Sequence, residues 1–235
     1  MDKPNSFEEL MLGDTILYNI VQELKHLKLL PRDYINIANS LLDLAINKPT
    51  EKPVTSNNFI TNEKINFPLH FEDISIRHLN YSKDAKIIKE WTSNDFGKEF
   101  LLSRIDNKET NVDDLLNDKQ NIFGIIETLE LDKMPIGILG FLQHDKVNNK
   151  AELRKLIGNS DFRGKGLGKK ATKIWISYGL NTLKLRKIFI YTFETNLRNI
   201  RINSELGFNL EGIFKAENIY NGEAKDIIRM ALVAK

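Results

Sequence analysis

The residues best suited to chemistry lie between Asp161 and Ala171, "DFRGKGLGKKA", where glycine occupies 164, 166 and 168 and a cation occupies 163, 165, 169 and 170. Glycine at that density costs backbone entropy, so a folded chain keeps it where the backbone needs a conformation or an approach that a Cβ forbids. The loop follows a strand-like run, "KAELRKLIG", and leads into a helical pattern. Loop and first-turn amides at such a junction have no intrahelical partner, and the helix dipole adds positive potential, so the segment reads as an anion cradle. Arg163 and Lys169 are placed to add charge-assisted bonds to a phosphate. Spacing then discriminates among phosphate loops. A mononucleotide P-loop needs Gly, four residues, then Gly-Lys-Ser/Thr; here Gly158 lies six positions before Gly164-Lys165, and Gly166 follows the lysine. The dinucleotide fingerprint needs Gly-x-Gly-x-x-Gly, which this Gly-x-Gly-x-Gly loop lacks. Upstream, strand alternation places Glu152, Arg154 and Leu156 on one face and Leu153 and Ile157 on the other. Glu152 is therefore either a proton acceptor outside the core or a surface carboxylate paired with Arg154.

Composition narrows the class. The chain has 235 residues, 41% apolar and 28% charged, which suits one large domain with an appendage. No run approaches ~18 apolar residues and no leader pattern opens the sequence, so a cytoplasmic protein without a membrane partner is expected. The absence of cysteine excludes disulfides, thiolate zinc sites and cysteine nucleophiles. His26, His70, His78 and His144 show no ligand spacing, so no metal is expected. Residues 154–187 carry ten Lys/Arg against Asp161 alone, while residues 1–70 are mildly acidic. A local excess of that size points to an anionic partner. Nucleic acid is disfavoured, because only Phe162 and Trp175 interleave with the cations.

The elements that must position these groups can be read from periodicity. Residues 1–46 read as a helical hairpin, with Ile16, Leu17, Ile20, Val21, Leu24 and Leu27 on one stripe and Tyr34, Ala38, Leu41, Leu42 and Ala45 on the next. Residues 47–70 are polar and proline-bearing, a linker. From residue 71 strands and helices alternate: a strand over 71–79, a helix from Tyr81 capped by Ser82, a short helix at "NVDDLLND", then the strands "NIFGIIETL", "PIGILGFLQHD" and "KAELRKLIG". A helix follows from Leu167, then a strand at 187–193, a helix ending at Gly207, and two strands joined by Asn221-Gly222, a hairpin signal. The expected fold is mixed α/β, with the glycine loop between a strand and a helix.

"FRGKGLGKKA" after "LRKLIG" resembles the acetyl-coenzyme A motif of the GNAT N-acetyltransferases, Arg/Gln-x-x-Gly-x-Gly/Ala, with Arg163, Gly166 and Gly168 at its fixed positions. "NLRNIRINSELGF" resembles the family's downstream helix, and the likeness runs over 71–235. It implies an α/β (α+β) domain with a mixed, mostly antiparallel sheet flanked by helices, the N-terminal hairpin being an appendage. It also implies an enzyme using acetyl-CoA, with no metal, to acetylate a primary amine of a small molecule.

The loop from Arg163 through Gly164, Lys165, Gly166 and Leu167 to Gly168 would hold the pyrophosphate, and the backbone of Leu156, Ile157 and Gly158 the pantetheine arm. Asn196 matches a family asparagine near the cofactor or is simply a helix N-cap. Glu152 matches a frequent general base, and amides near Ile157 an oxyanion site. Asn203 stands where many members carry the tyrosine that protonates the departing thiolate. It can bind the coenzyme but is no acid, which leaves Tyr191, Tyr220 or no acid at all. The loop looks most like bacterial members acting on nucleotide-linked amino sugars, the expected acceptor. Peptide or ribosomal-protein N-termini, polyamines, aminoglycosides and a non-catalytic acyl-CoA sensor are the alternatives. The hairpin is expected to form a homodimer contact, a lid or a tether.

Overall fold

A computed structural model describes residues 63–93, 97, 111–129, 133–220 and 222–234, with 29, 33, 34, 37, 38, 40, 41 and 59 before them. The chain divides into two units, Met1–Ala45 and Ile46–Lys235. In the first, residues 33, 34, 37, 38, 40 and 41 are helical, and Tyr34 and Leu41 are exposed. The earlier helix and its partner stripe lie outside the described residues, as does most of the 47–70 linker.

The second unit is an eight-stranded sheet: β1 (Leu69–Phe71), β2 (Ile74–His78), β3 (Ile122–Thr128), β4 (Pro135–Asp145), β5 (Lys150–Ile157), β6 (Lys187–Phe193), β7 (Asn209–Tyr220) and β8 (Glu223–Val233). Their spatial order is β1-β2-β3-β4-β5-β6-β8-β7. Every neighbouring pair is antiparallel except β5 and β6. A parallel pair needs a crossover, and α3 (Leu167–Asn181) supplies it. The expected strand at 71–79 is in fact the hairpin β1–β2. The adjacent acids Glu72 and Asp73 make the turn, Glu72 with φ 52°, and both carboxylates face solvent where Lys170 pairs with them at 2.8 and 2.9 Å.

Helices cover both faces. On one, α1 (Tyr81–Thr92) and α2 (Val112–Asn117) bury Ile88, Trp91, Leu115 and Leu116 against Phe123, Ile125, Ile138 and Leu156. The cap of α1 is Asn80 rather than Ser82: Asn80 has the extended backbone of an N-cap, and its side chain accepts from the Lys83 amide. On the other face α3 lays down its stripe of Leu167, Ala171, Trp175 and Tyr178. Trp175 is fully buried and stacks on Phe141 with centroids 5.2 Å apart. A Cβ on Gly124 would come within 2.7 Å of the Trp175 ring, so β3 carries glycine where the indole lies against it. The helix α4 (Leu197–Glu205) lies between β6 and the β7–β8 hairpin in the chain.

One ion cluster locks α1 to the sheet. The Arg77 guanidinium on β2 forks onto both oxygens of Asp84 at 2.7 and 2.8 Å and reaches Glu127 on β3 at 2.6 Å. Burial opposes ionisation of Asp84, but Arg77 and the Asn80 amide outweigh it and hold the carboxyl below its ordinary range. Replacing Arg77 with Met strands two buried carboxylates, and should cost about 3–5 kcal/mol in denaturant unfolding at neutral pH. Because the folded Asp84 carboxyl lies below its unfolded value, its contribution is present above pH ~4 and fades as pH falls through the folded value. The Arg77→Met deficit should therefore shrink in acid.

Candidate functional site

The site begins where β5 and β6 part. They pair only at Lys150–Lys187, Ala151–Ile188 and Glu152–Phe189. Beyond Glu152, β5 stays with β4 as far as Ile157–Gly137, and β6 stays with β8 as far as Phe193–Ile227. Each strand is thus held by its outer neighbour while the inner edges diverge. The resulting gap opens to solvent and is lined by Glu152, Leu153, Arg154, Lys155, Ile190, Tyr191, Asn199 and Asn203.

Backbone alternation decides which β5 groups face the gap. The Gly158 amide donates to Ile136 O at 2.9 Å, toward β4. Groups two residues apart face the same way, so those of Leu156 also face β4, and those of Lys155 and Ile157 face the gap. Of the expected Leu156-Ile157-Gly158 set, Leu156 and the Gly158 amide face β4, while the Ile157 amide faces the gap together with Lys155; the Ile157 and Gly158 carbonyls accept from Arg163.

Side chains divide between the two sheet faces. Glu152 and Arg154 share one face with Phe189 and Tyr191, over whose rings the Arg229 guanidinium lies at 4.5 and 5.4 Å. Lys155 and Ile157 point to the other face, toward α4 and the glycine loop. Glu152 is 4% exposed, so it is no surface carboxylate. Both of its oxygens are engaged by Arg154, at 2.6 and 3.0 Å.

The loop has the conformation its glycines suggested. Gly164 and Gly166 sit at φ 81° and 80°, in the left-handed region, and Gly166 is the N-cap of α3 with no side-chain cap bond. The Lys169 and Lys170 amides both turn back to Gly166 O, so the amides ahead of them carry the helix's positive end. Lys165 and Leu167 complete this turn, with the Lys165 ammonium 5.1 Å over the Phe162 ring.

The two side chains expected to contact phosphate are engaged by groups of this chain. Arg163 bonds Ile157 O and Gly158 O at 2.9 and 2.8 Å, and Lys169 bonds Glu205 at 2.6 Å. Both therefore pin the loop to neighbouring elements, and the backbone is what it offers an anion.

Asparagines line the inward side of α4 at 196, 199 and 203. Asn196 is the N-cap, accepting from the Asn199 amide at 3.1 Å. Asn199 donates to Thr192 Oγ1 at 3.2 Å, and Asn203 donates to Asn199 O at 2.8 Å. Asn203 Oδ1 then accepts from Lys155 Nζ at 2.9 Å. The sequence reading passed over Lys155. Its signal was a lysine in a central strand, on the opposite face from Glu152 and Arg154. Burial pulls its pKa down to about 7. Tyr220 packs on Phe193, 5.2 Å between centroids, and does not line the gap.

An exposed half-strand, a glycine turn and an uncapped helix N-terminus suit a long phosphorylated thioester. The residues present fit coenzyme A. Residues 68–209 match the acetyltransferase (GNAT) domain family. The chain is 26% identical over 165 residues to the spermidine N(1)-acetyltransferase of Escherichia coli (strain K12), covering 70% of this chain and 83% of that protein. It is 31% identical over 87 residues to the spermine/spermidine N(1)-acetyltransferase of Bacillus subtilis (strain 168), covering 37% and 55%. Among solved structures, a dodecameric spermidine N-acetyltransferase from Vibrio cholerae superposes with a TM-score of 0.59 at 20% identity, covering 69% of this chain and 95% of that one. That likeness carries the fold, the mixed sheet with flanking helices.

The loop geometry makes a paired prediction. A Cβ at Gly166 meets nothing within 4 Å, so Gly166→Ala strains only φ, by about 1–2 kcal/mol. Coenzyme A affinity measured by calorimetry should fall roughly tenfold while the fold survives. At Gly168, where a Cβ makes ordinary contact with Ile157 at 3.5 Å, alanine should bind as wild type does.

Proposed function

The chain belongs to the GNAT acetyltransferase family and is an N-acetyltransferase, and from that premise we propose that it acetylates a primary amine of a cationic polyamine, with acetyl-CoA as donor. The observation that carries the acceptor class is the surroundings of Tyr191. Burial raises its pKa; Arg229 pulls the other way, while Glu152, Glu211 and Glu217 push it further up. Three carboxylates thus lie within electrostatic reach of one phenol at the gap. Glu152 is paired with Arg154 and Glu211 with Lys187 and Arg229, so the carboxylate left to attract an ammonium group is Glu217, which has no ion-pair partner among the described residues. The polyamine activity in the names of the E. coli and B. subtilis relatives supports the same class.

The amino-sugar acceptor leaned on the basic stretch, and part of that charge is met by acids of this chain: Arg154 by Glu152, Lys169 by Glu205, Lys170 by Glu72 and Asp73, Lys187 by Glu211.

In this reading the glycine turn and the positive end of α3 hold the pyrophosphate, and the backbone groups of Lys155 and the amide of Ile157 hold the pantetheine arm. Acetyl-CoA supplies an activated acyl carbon when bound. Glu152 takes the proton from the attacking amine, directly or through water, using acceptor capacity left beside Arg154. The Ile157 amide faces the gap, where it would stabilise charge developing on an acyl oxygen. The N-terminal unit, with Tyr34 and Leu41 exposed, offers an apolar face for self-association.

Turnover assays with spermidine, spermine and a nucleotide-linked amino sugar decide the acceptor. Polyamines should give a kcat/KM at least tenfold higher, and preference for the sugar would overturn the reading. Glu152→Gln should lower kcat about 100-fold or more while leaving coenzyme A affinity within about threefold. A chain that binds coenzyme A but turns over no amine would instead be the sensor.

A further inference from the structure

Resting on the reading of the gap as the acetyl-CoA site, we propose that Lys155 is the general acid of this enzyme: its ammonium protonates the coenzyme A sulfur as the acetyl group leaves. In the reaction the amine nitrogen bonds the acyl carbon, the carbon–sulfur bond breaks with its electron pair going to sulfur, and Nζ gives that sulfur a proton. The amine's surplus proton passes to Glu152, which then releases it to solvent while neutral Lys155 takes one proton back from solvent, so both groups return to their starting state.

The placement carries the assignment. Asn203 stands where the acid of the resembling family would be, and it carries no transferable proton of its own. Lys155 Nζ sits 2.9 Å from its Oδ1, on the sheet face that carries α3 and the glycine loop. The two residues come from β5 and α4, across the gap, so the lysine brings a proton to the spot the asparagine leaves without one. The amide orientation is settled by the network: Asn203 Nδ2 is donated to Asn199 at 2.8 Å, which turns Oδ1 toward the lysine. The competing tyrosines are elsewhere. Tyr191 lies on the Glu152 face beneath Arg229, and Tyr220 is outside the gap.

The electrostatics agree with the geometry. The charged and titratable neighbours in the gap are Glu152 and Arg154 on β5 and Tyr191 on β6, while α4 contributes only the neutral Asn199 and Asn203. Glu152 is engaged by Arg154 on the opposite face. Among the described residues no carboxylate holds the lysine in its charged form, and burial lowers it to about 7. A thiol ionises near 8.5 in water, so transfer from such an ammonium to a thiolate is favourable. At neutral pH a substantial share of the lysine is charged, and that share falls as pH rises through 7.

The test is an NMR titration of protein carrying ¹³C-labelled lysine, with the Lys155 signal assigned by its loss in Lys155→Met. The signal should titrate near 7, and the midpoint should move on adding coenzyme A but not on adding desulfo-coenzyme A, which lacks the sulfur. A midpoint near 10, or the same response to both ligands, overturns the assignment. If neither ligand binds, the acetyl-CoA reading itself has failed. The companion variant is Lys155→Arg, which keeps the positive charge but cannot release its proton. It should bind coenzyme A within about threefold of wild type while its kcat with spermidine falls about 100-fold, and the wild-type decline above pH 7 should vanish. Full activity in Lys155→Arg would reduce Lys155 to a fixed charge and sink the proposal.

Discussion

Three residue pairs between β5 and β6 constrain everything else in the catalytic domain. A longer parallel ladder would seal the sheet, and a shorter one would let its two halves separate. With pairing confined to Lys150–Glu152 and Lys187–Phe189, the halves are joined yet open along one edge. The opening persists because each strand is fully occupied on its far side, β5 by β4 and β6 by β8. The backbone groups of Lys155 and the amide of Ile157 are left facing an aqueous gap, a situation a folded chain tolerates where water or a ligand can satisfy them. The glycine turn, α3 and α4 are placed around this opening by the crossover that a parallel pair demands.

Much of this was legible in the chain because the relevant signals are local. The left-handed glycines, the α3 stripe, the 187–193 strand and the final hairpin depend on residues adjacent in sequence, and each is where periodicity put it. The misses came from interactions across long separations. Lys169 meets Glu205 across 36 positions and Lys170 meets Asp73 across 97. A count of cations over 154–187 cannot foresee that distant acids will neutralise them. The Glu152–Arg154 pair was legible from alternation, but its burial was not, since burial depends on which elements cover that part of the sheet.

Lys155 illustrates the same limit from the other side. Read along the chain, it is one more cation in a basic stretch. In three dimensions it is the one of those cations that lines the gap on the α4 side, facing neutral amides. The asparagines at 196, 199 and 203 follow helical spacing, and each donates or accepts in turn until the last presents an oxygen to the ammonium. A polar chain of that kind fixes orientation as well as energy, because reversing any one amide would set donor against donor. The asparagine at 203 and the lysine at 155 therefore form one arrangement.

The missing side-chain cap on α3 has a thermodynamic side. Gly166 begins the helix without a side-chain oxygen for its first amides, so in the proposed reading an arriving phosphate would do the work a serine or aspartate does elsewhere. Helix stability and ligand occupancy then become a single linked equilibrium. At a hundredfold excess over the dissociation constant, a ligand confined to the native state adds about 2.7 kcal/mol to its stability. In a cell rich in acyl-CoA the folded enzyme would be sturdier than in one depleted of it, and its lifetime against proteolysis would follow the supply of its own donor.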